Sequence, residues 1–187
     1  MQVKDRNKNR RSIGTLALVS LFCQLGLAPG IALGNGHPNF ALIFSGIVAL
    51  SIGGETGVIS AFFAGLIYDL SSTGPIGLMA LLCTIAAYVM GMEVRDRLSE
   101  ESMLTIIPFS IAALSVCLAY NLAMLLFGQT ESFVDAVVFR ALPSTFLTII
   151  AYVPYLLVIS RSHTGGLRMG VPSTPGRHSS RYTLGNR

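Results

Sequence analysis

The chain has 187 residues, of which 52% are hydrophobic and only 12% charged, and its formal net charge is +4. A soluble domain carries about a quarter charged residues, so this composition, with a mean hydropathy of +0.64, predicts an all-α integral membrane protein rather than a soluble enzyme. The cations that make the chain basic sit in its two ends, not on a folded face interleaved with aromatics, which argues against a nucleic-acid interface.

Residues 1–11 read as a basic cytoplasmic N-terminus carrying Lys4, Arg6, Lys8, Arg10 and Arg11 against Asp5. Pairing with anionic lipid headgroups, at about 1 kcal/mol per basic residue near the surface, accounts for these cations. The apolar run that follows has no clear small-x-small site before a polar start, and further spans follow at once, so it reads as a retained helix and not as a cleaved signal. Charge-free stretches from Ser12 to Gly54, Leu70 to Met92, Ser102 to Thr130 and Ala141 to Ser160 each hold at least one span of ~20 residues, and the first holds two.

Breakers place the span ends. The first helix runs from Ile13 to Ala28 and meets a turn-rich loop with Pro29, Gly30, Gly34, Asn35, Gly36, His37 and Pro38. A second helix fits Asn39 to Ile52, Gly53 to Glu55 break the chain, and a third fits Thr56 to Leu70. Ser71 to Pro75 form a hinge, after which helices fit Ile76 to Met92, Met103 to Phe127 and Val134 to Ile159. The second and third are short, ~21 to 23 Å at 1.5 Å per residue, which implies tilt, a thinned bilayer or longer true boundaries.

Fusing the second and third segments would give five spans and opposite termini, and charge decides against it. The tail beyond Ser160 carries Arg161, Arg168, Arg177, Arg181 and Arg187 with no acid. Positive residues collect on the cytoplasmic side, so both termini belong there and the span number is even. The loop Glu93 to Glu101, with Arg95 and Arg97, then also lies inside, whereas the opposite loops hold only Glu131, Asp135 and His37; Arg140 is the exception. The expected organisation is a six-helix transmembrane domain over 12–160 and a basic, disordered cytoplasmic tail over 161–187, too poor in apolar residues to repay ordering.

Catalytic and metal chemistry find little support. Cys23, Cys83 and Cys117 lie far apart inside apolar spans, and His37, His163 and His178 lie in a loop and the tail, so no metal constellation or CxxC pair forms and no cofactor is expected. The carboxylates nearest membrane depth are Glu55 and Asp69, near opposite ends of the third helix and ~21 Å apart if it is regular, too far for joint acid/base work. Asp69, at the seam of helix and hinge, is expected to reach interfacial water and bond the hinge amides at Ser71 to Gly74. Glu55, beside Thr56, reads as a cap at a helix start. Gly57, Ala61, Ala64 and Gly65 recur at i, i+4, i+7 and i+8 and form one smooth face for close helix approach, inside the monomer first and toward a second copy or a partner helix otherwise.

The stretch AFFAGLIYDLSSTGPIGLMAL resembles the signature of the rod shape-determining protein MreD family: a small-residue helix ending in G-L-x-x-D-L, a short Ser-containing hinge, and a P-x-G-L start to the next helix. Gly65, Leu66, Asp69, Leu70, Pro75, Gly77 and Leu78 sit in register with it, and Gln24, Pro38-Asn39, Tyr88 and Gly91 add to the likeness, although the family usually has an acid where Asn39 stands. The resemblance covers Leu16 to Arg97 well and the last two helices in hydropathy and length alone.

That resemblance implies a six-helix bundle similar to the substrate-binding component of vitamin (ECF-type) transporters, in the bacterial cytoplasmic membrane. It also implies a non-catalytic scaffold that binds MreC and works with MreB, RodA and a class B penicillin-binding protein in side-wall peptidoglycan synthesis. Gly57, Ala61, Gly65, Asp69, Pro75, Gly77, Pro38 and Glu55 are then the structural and partner-interface candidates, with a homodimer as a second use of the smooth face. The rival reading is a substrate-binding membrane component for vitamin or metal uptake, which needs polar groups converging from the external loops; those offer Asn35, His37, Asn39, Ser71, Ser72 and Thr73.

Overall fold

A computed structural model describes residues 3–96, 105–130 and 132–162; Arg97, Glu131 and the tail from His163 onward, with its arginines, lie outside them. The described residues form six α-helices and no strand, only an isolated bridge between Leu33 and Gly36. Helix α1 spans Val3–Phe22 and continues through a wide, π-type turn, Cys23–Leu27, and a tight turn, Ala28–Gly30. Helices α2 (Phe40–Ser51), α3 (Gly54–Ser71), α4 (Leu78–Asp96) and α5 (Ile106–Leu126) follow, and a second wide turn, Asp135–Ala141, runs into α6 (Leu142–Ser162). Among the described residues three segments suffice by length and composition to cross a membrane, Ile13–Gly30, Ile106–Leu126 and Asp135–Leu157, while Phe40–Ser51 and Leu78–Met92 are shorter apolar helices.

Several boundaries differ from those the breakers suggest. The backbone of α1 is helical from Val3, ten residues before Ile13, because its Lys and Arg residues are good helix formers. Helix α3 begins at Gly54 and not at Thr56, since Gly53 supplies the positive φ of 61° that turns the chain directly into it. Helix α4 waits until Leu78, because Pro75 and Gly77 (φ 97°) hold the hinge open for two residues more than expected.

The short α2 is the centre of the molecule. Every residue from Phe40 to Leu50 is buried, as befits a helix that is apolar on all sides. Helices α1, α3, α4 and α6 pack around it. Its 12 residues are therefore covered by protein along nearly their whole length.

Its start is built from three chain segments. Asn39 caps it conventionally, with its side chain accepting from the Leu42 amide at 3.0 Å. The Gln24 side chain, reaching over from the wide turn after α1, accepts from the Phe40 amide at 2.9 Å. The Thr148 hydroxyl of α6 accepts from the Asn39 amide at 3.0 Å. Buried amides left unpaired cost about 1–3 kcal/mol each, so these neutral acceptors let α2 begin inside the bundle. Further along, Gly46 makes room for the Phe109 ring of α5, since a Cβ there would lie 2.5 Å from that ring. Phe109 in turn stacks on Tyr152 of α6 with centroids 3.8 Å apart.

The loop between α1 and α2 is anchored to the start of α6, a hundred residues on. Pro143 has no N–H to offer the Phe139 carbonyl four residues earlier, and that carbonyl accepts from the Asn35 amide at 3.2 Å. The His37 amide donates to the Ser144 hydroxyl at 3.1 Å. Gly36 is buried at this contact, where a Cβ would come within 2.7 Å of the Ser144 nitrogen.

Candidate functional site

The hinge between α3 and α4 is organised by one side chain. Asp69, in the last turn of α3, is 1% exposed, so it does not reach interfacial water as expected. Its carboxylate does not bond the Ser71 to Gly74 amides either. It crosses the hinge and accepts from the amides of Gly77 at 2.9 Å, Met79 at 3.1 Å and Ala80 at 3.1 Å.

The reason lies in how α4 starts. Gly77 is the residue whose carbonyl accepts the first turn's bond, from Leu81 at 2.9 Å, and its φ of 97° suits glycine alone among common residues. Glycine has no side chain to cap with, so the free amides of α4's first turn would be orphans. Asp69 supplies the cap from the preceding helix, and its charge gains from the positive end of the α4 dipole while opposing that of α3. Pro75 helps close the turn, its carbonyl accepting from Leu78 at 3.3 Å.

The smooth face of α3 points the same way. Gly57, Ala61, Gly65 and Asp69 are its buried residues, a stripe at four-residue spacing, whereas Ala64 lies beside the stripe and lines a groove against α1. A Cβ on Gly65 would come within 2.5 Å of the Ala80 Cα, and one on Gly57 within 3.2 Å of the Ala49 Cα. The stripe therefore brings α3 onto α4 and α2 within one chain, the first of the two uses expected of it, and its surface is covered there rather than presented to a second copy or a partner helix.

The remaining candidates are placed as follows. Pro38 is buried just ahead of the α2 cap. Glu55 lies in the first turn of α3, exposed, but the N-cap is Gly53 and no side chain caps this helix. Glu55 thus adds favourable charge near a helix start without the bonded cap expected of it. Cys83 and Cys117 are buried, Cys23 is half-buried, and all three are free thiols. Among the described residues no three His, Cys, Asp or Glu side chains gather as a metal-holding group.

Two cavities flank Tyr68, which lines both. One, about 230 Å³, is an apolar groove between α1, α2 and α3. The other, about 200 Å³, is polar and lies at the hinge end of the bundle. There the docked loop brings in Asn35, His37 and Asn39, and the hinge brings Ser72 and Thr73; Ser71 is not part of it. Tyr120 and Asn121 of α5, with Arg140 of the second wide turn and Ser144 in the first turn of α6, complete the polar lining. Reading the loops alone misses this second set. Two signals point to it in retrospect: Arg140 is the lone cation between Arg97 and Arg161, and Asn121 is an isolated amide within an apolar, charge-free helix. Arg140 donates through Nε to Asp135 at 2.9 Å, and Asp135 also accepts from Asn35 at 3.4 Å.

Comparison with curated proteins and with solved structures finds no significant match. The family profile described as rod shape-determining protein MreD matches residues 5–161. This match extends through α5 and α6, where the resemblance rested on hydropathy and length alone, and on that coverage the chain belongs to the MreD family.

Proposed function

We propose that this chain is a non-catalytic, multi-pass scaffold of the bacterial cytoplasmic membrane, with six spans and both termini cytoplasmic, in a bundle akin to the substrate-binding component of vitamin transporters. In this reading it binds MreC directly and acts with MreB, RodA and a class B penicillin-binding protein in side-wall peptidoglycan synthesis. Family membership supports the link to rod shape. The observation that carries the scaffold role is the α3–α4 pin: Asp69 engages three amides while the glycine stripe closes the helices onto each other. A joint this tight gives a rigid central unit, and a rigid unit loses little conformational freedom when a partner docks.

In this reading the small-residue stripe and Asp69 act indirectly, by fixing the outer shape of α3 and α4. Large apolar side chains on that exterior, among them Phe62, Phe63, Leu81 and Tyr88, are exposed and available to a partner's membrane helix. Co-purification of the tagged chain with MreC in mild detergent tests the proposal; clean failure with both proteins well expressed overturns it. Asp69→Asn is expected to weaken recovery of MreC severalfold while membrane insertion stays near wild type. Equal loss of both would reduce Asp69 to a folding role.

A further inference from the structure

We propose that the polar cavity at the hinge end is a binding site for a small anionic oxygen group, a phosphate or carboxylate carried next to hydroxyls. The inference goes beyond the scaffold reading and does not depend on MreC. Four segments distant in sequence converge there, and they bring hydrogen-bonding side chains to a void of about 200 Å³. Each water takes about 30 Å³ of liquid volume, so the space exceeds what one or two bridging waters require. It suits a phosphate group with a few attached atoms.

The charge of the lining selects an anion. Asp69 lies nearby, but its carboxylate is engaged with the amides of α4 and is not among the lining residues. Asp135 is also outside the lining; it holds the guanidinium of Arg140 by Nε. That bond orients a planar fork whose terminal nitrogens are suited to two oxygens of one oxyanion. Among the described residues no carboxylate lines the cavity, while His37 and Thr73 bring further groups able to donate a hydrogen bond. Asn121 donates its own amide hydrogen to the Cys117 carbonyl at 2.8 Å, which leaves its carbonyl oxygen to accept from a ligand hydroxyl.

Access is from the bundle end and not from its middle, because Asn35, His37 and Thr73 on the rim are exposed. The same chemistry could arrive as the headgroup of an anionic phospholipid or as a free phosphate ester. The test therefore has two arms, both with the full chain. In the first, sn-glycerol 3-phosphate is titrated against protein in phosphatidylcholine nanodiscs. In the second, native mass spectrometry counts phosphatidylglycerol retained by protein from mixed nanodiscs. The expected result is saturable binding in at least one arm, which also assigns the source. Arg140→Gln should weaken it about tenfold or more, as expected for loss of a charge-assisted hydrogen bond. Glu55→Gln, at the other end of α3, should leave it unchanged. Arg140→Gln also removes the Asp135 pair, so Asn121→Leu, which leaves that pair intact, is the second variant and should weaken binding severalfold. Absence of saturable binding in both arms overturns the site, as does binding that neither variant alters.

Discussion

Helices α3 and α4 both begin at a glycine with positive φ, Gly53 at 61° and Gly77 at 97°, and both have an acid close by, yet the two starts are built differently. At α4 the acid is Asp69, buried and bonded to three amides. At α3 it is Glu55, exposed and without a cap bond. An exposed helix start has water for its free amides, so a carboxylate there contributes only through the dipole, a few tenths of a kcal/mol up to about 1. A buried start has no water, and the same carboxylate becomes the only acceptor within reach of several donors. Burial, more than proximity of an acid to a helix end, sets what that acid is worth.

The largest test of this contrast is Asp69→Ala, which leaves the Gly77, Met79 and Ala80 amides without their acceptor. A loss of about 3–5 kcal/mol is expected, read as denaturant or thermal stability in micelles; a loss below about 1 would erase the contrast. Gly65→Val comes next. Its Cβ would meet the Ala80 backbone at 2.5 Å, which cannot rotate away, so about 2–3 kcal/mol should be lost through separation of α3 from α4. Wild-type stability in this variant would mean the helices are not closely apposed.

Gln24→Leu extends the comparison to a second buried start, that of α2. The Phe40 amide would lose its acceptor, for an expected ~1–2 kcal/mol, smaller than at Asp69 because one neutral bond is lost and not three to a carboxylate. Glu55→Gln is the smallest, under about 0.5 kcal/mol. A loss at Glu55 equal to that at Asp69 would mean burial is not the deciding variable.

How far the site could be read in advance follows from these particulars. The stripe Gly57, Ala61 and Gly65 is visible in a linear sequence because helical spacing is local, and so is Asp69 as a carboxylate beside a hinge. Which amides Asp69 would take is not visible, since that depends on the hinge folding back so that α4's first turn faces α3. The docking of Asn35 and His37 against the start of α6 is hidden for a stronger reason. It joins residues a hundred positions apart through a carbonyl that Pro143 leaves free, and no local period marks that pairing. The polar cavity inherits this: its members are scattered, single and unremarkable until the loop is docked.

The sequence by itself determined a membrane protein of six helices, their order and approximate ends, the hinge, and the family, because hydropathy, breakers and short motifs act over a few residues. Tertiary structure alone decided that α2 is sheathed by its neighbours, that the smooth face of α3 is covered within the chain, that Asp69 caps the following helix, and that polar loop residues share a cavity with Arg140. Those outcomes depend on which surfaces meet. Burial and hydrogen-bond partners are properties of the packed bundle, so the same Asp, Gly or Asn has a different energetic role according to what the fold sets against it.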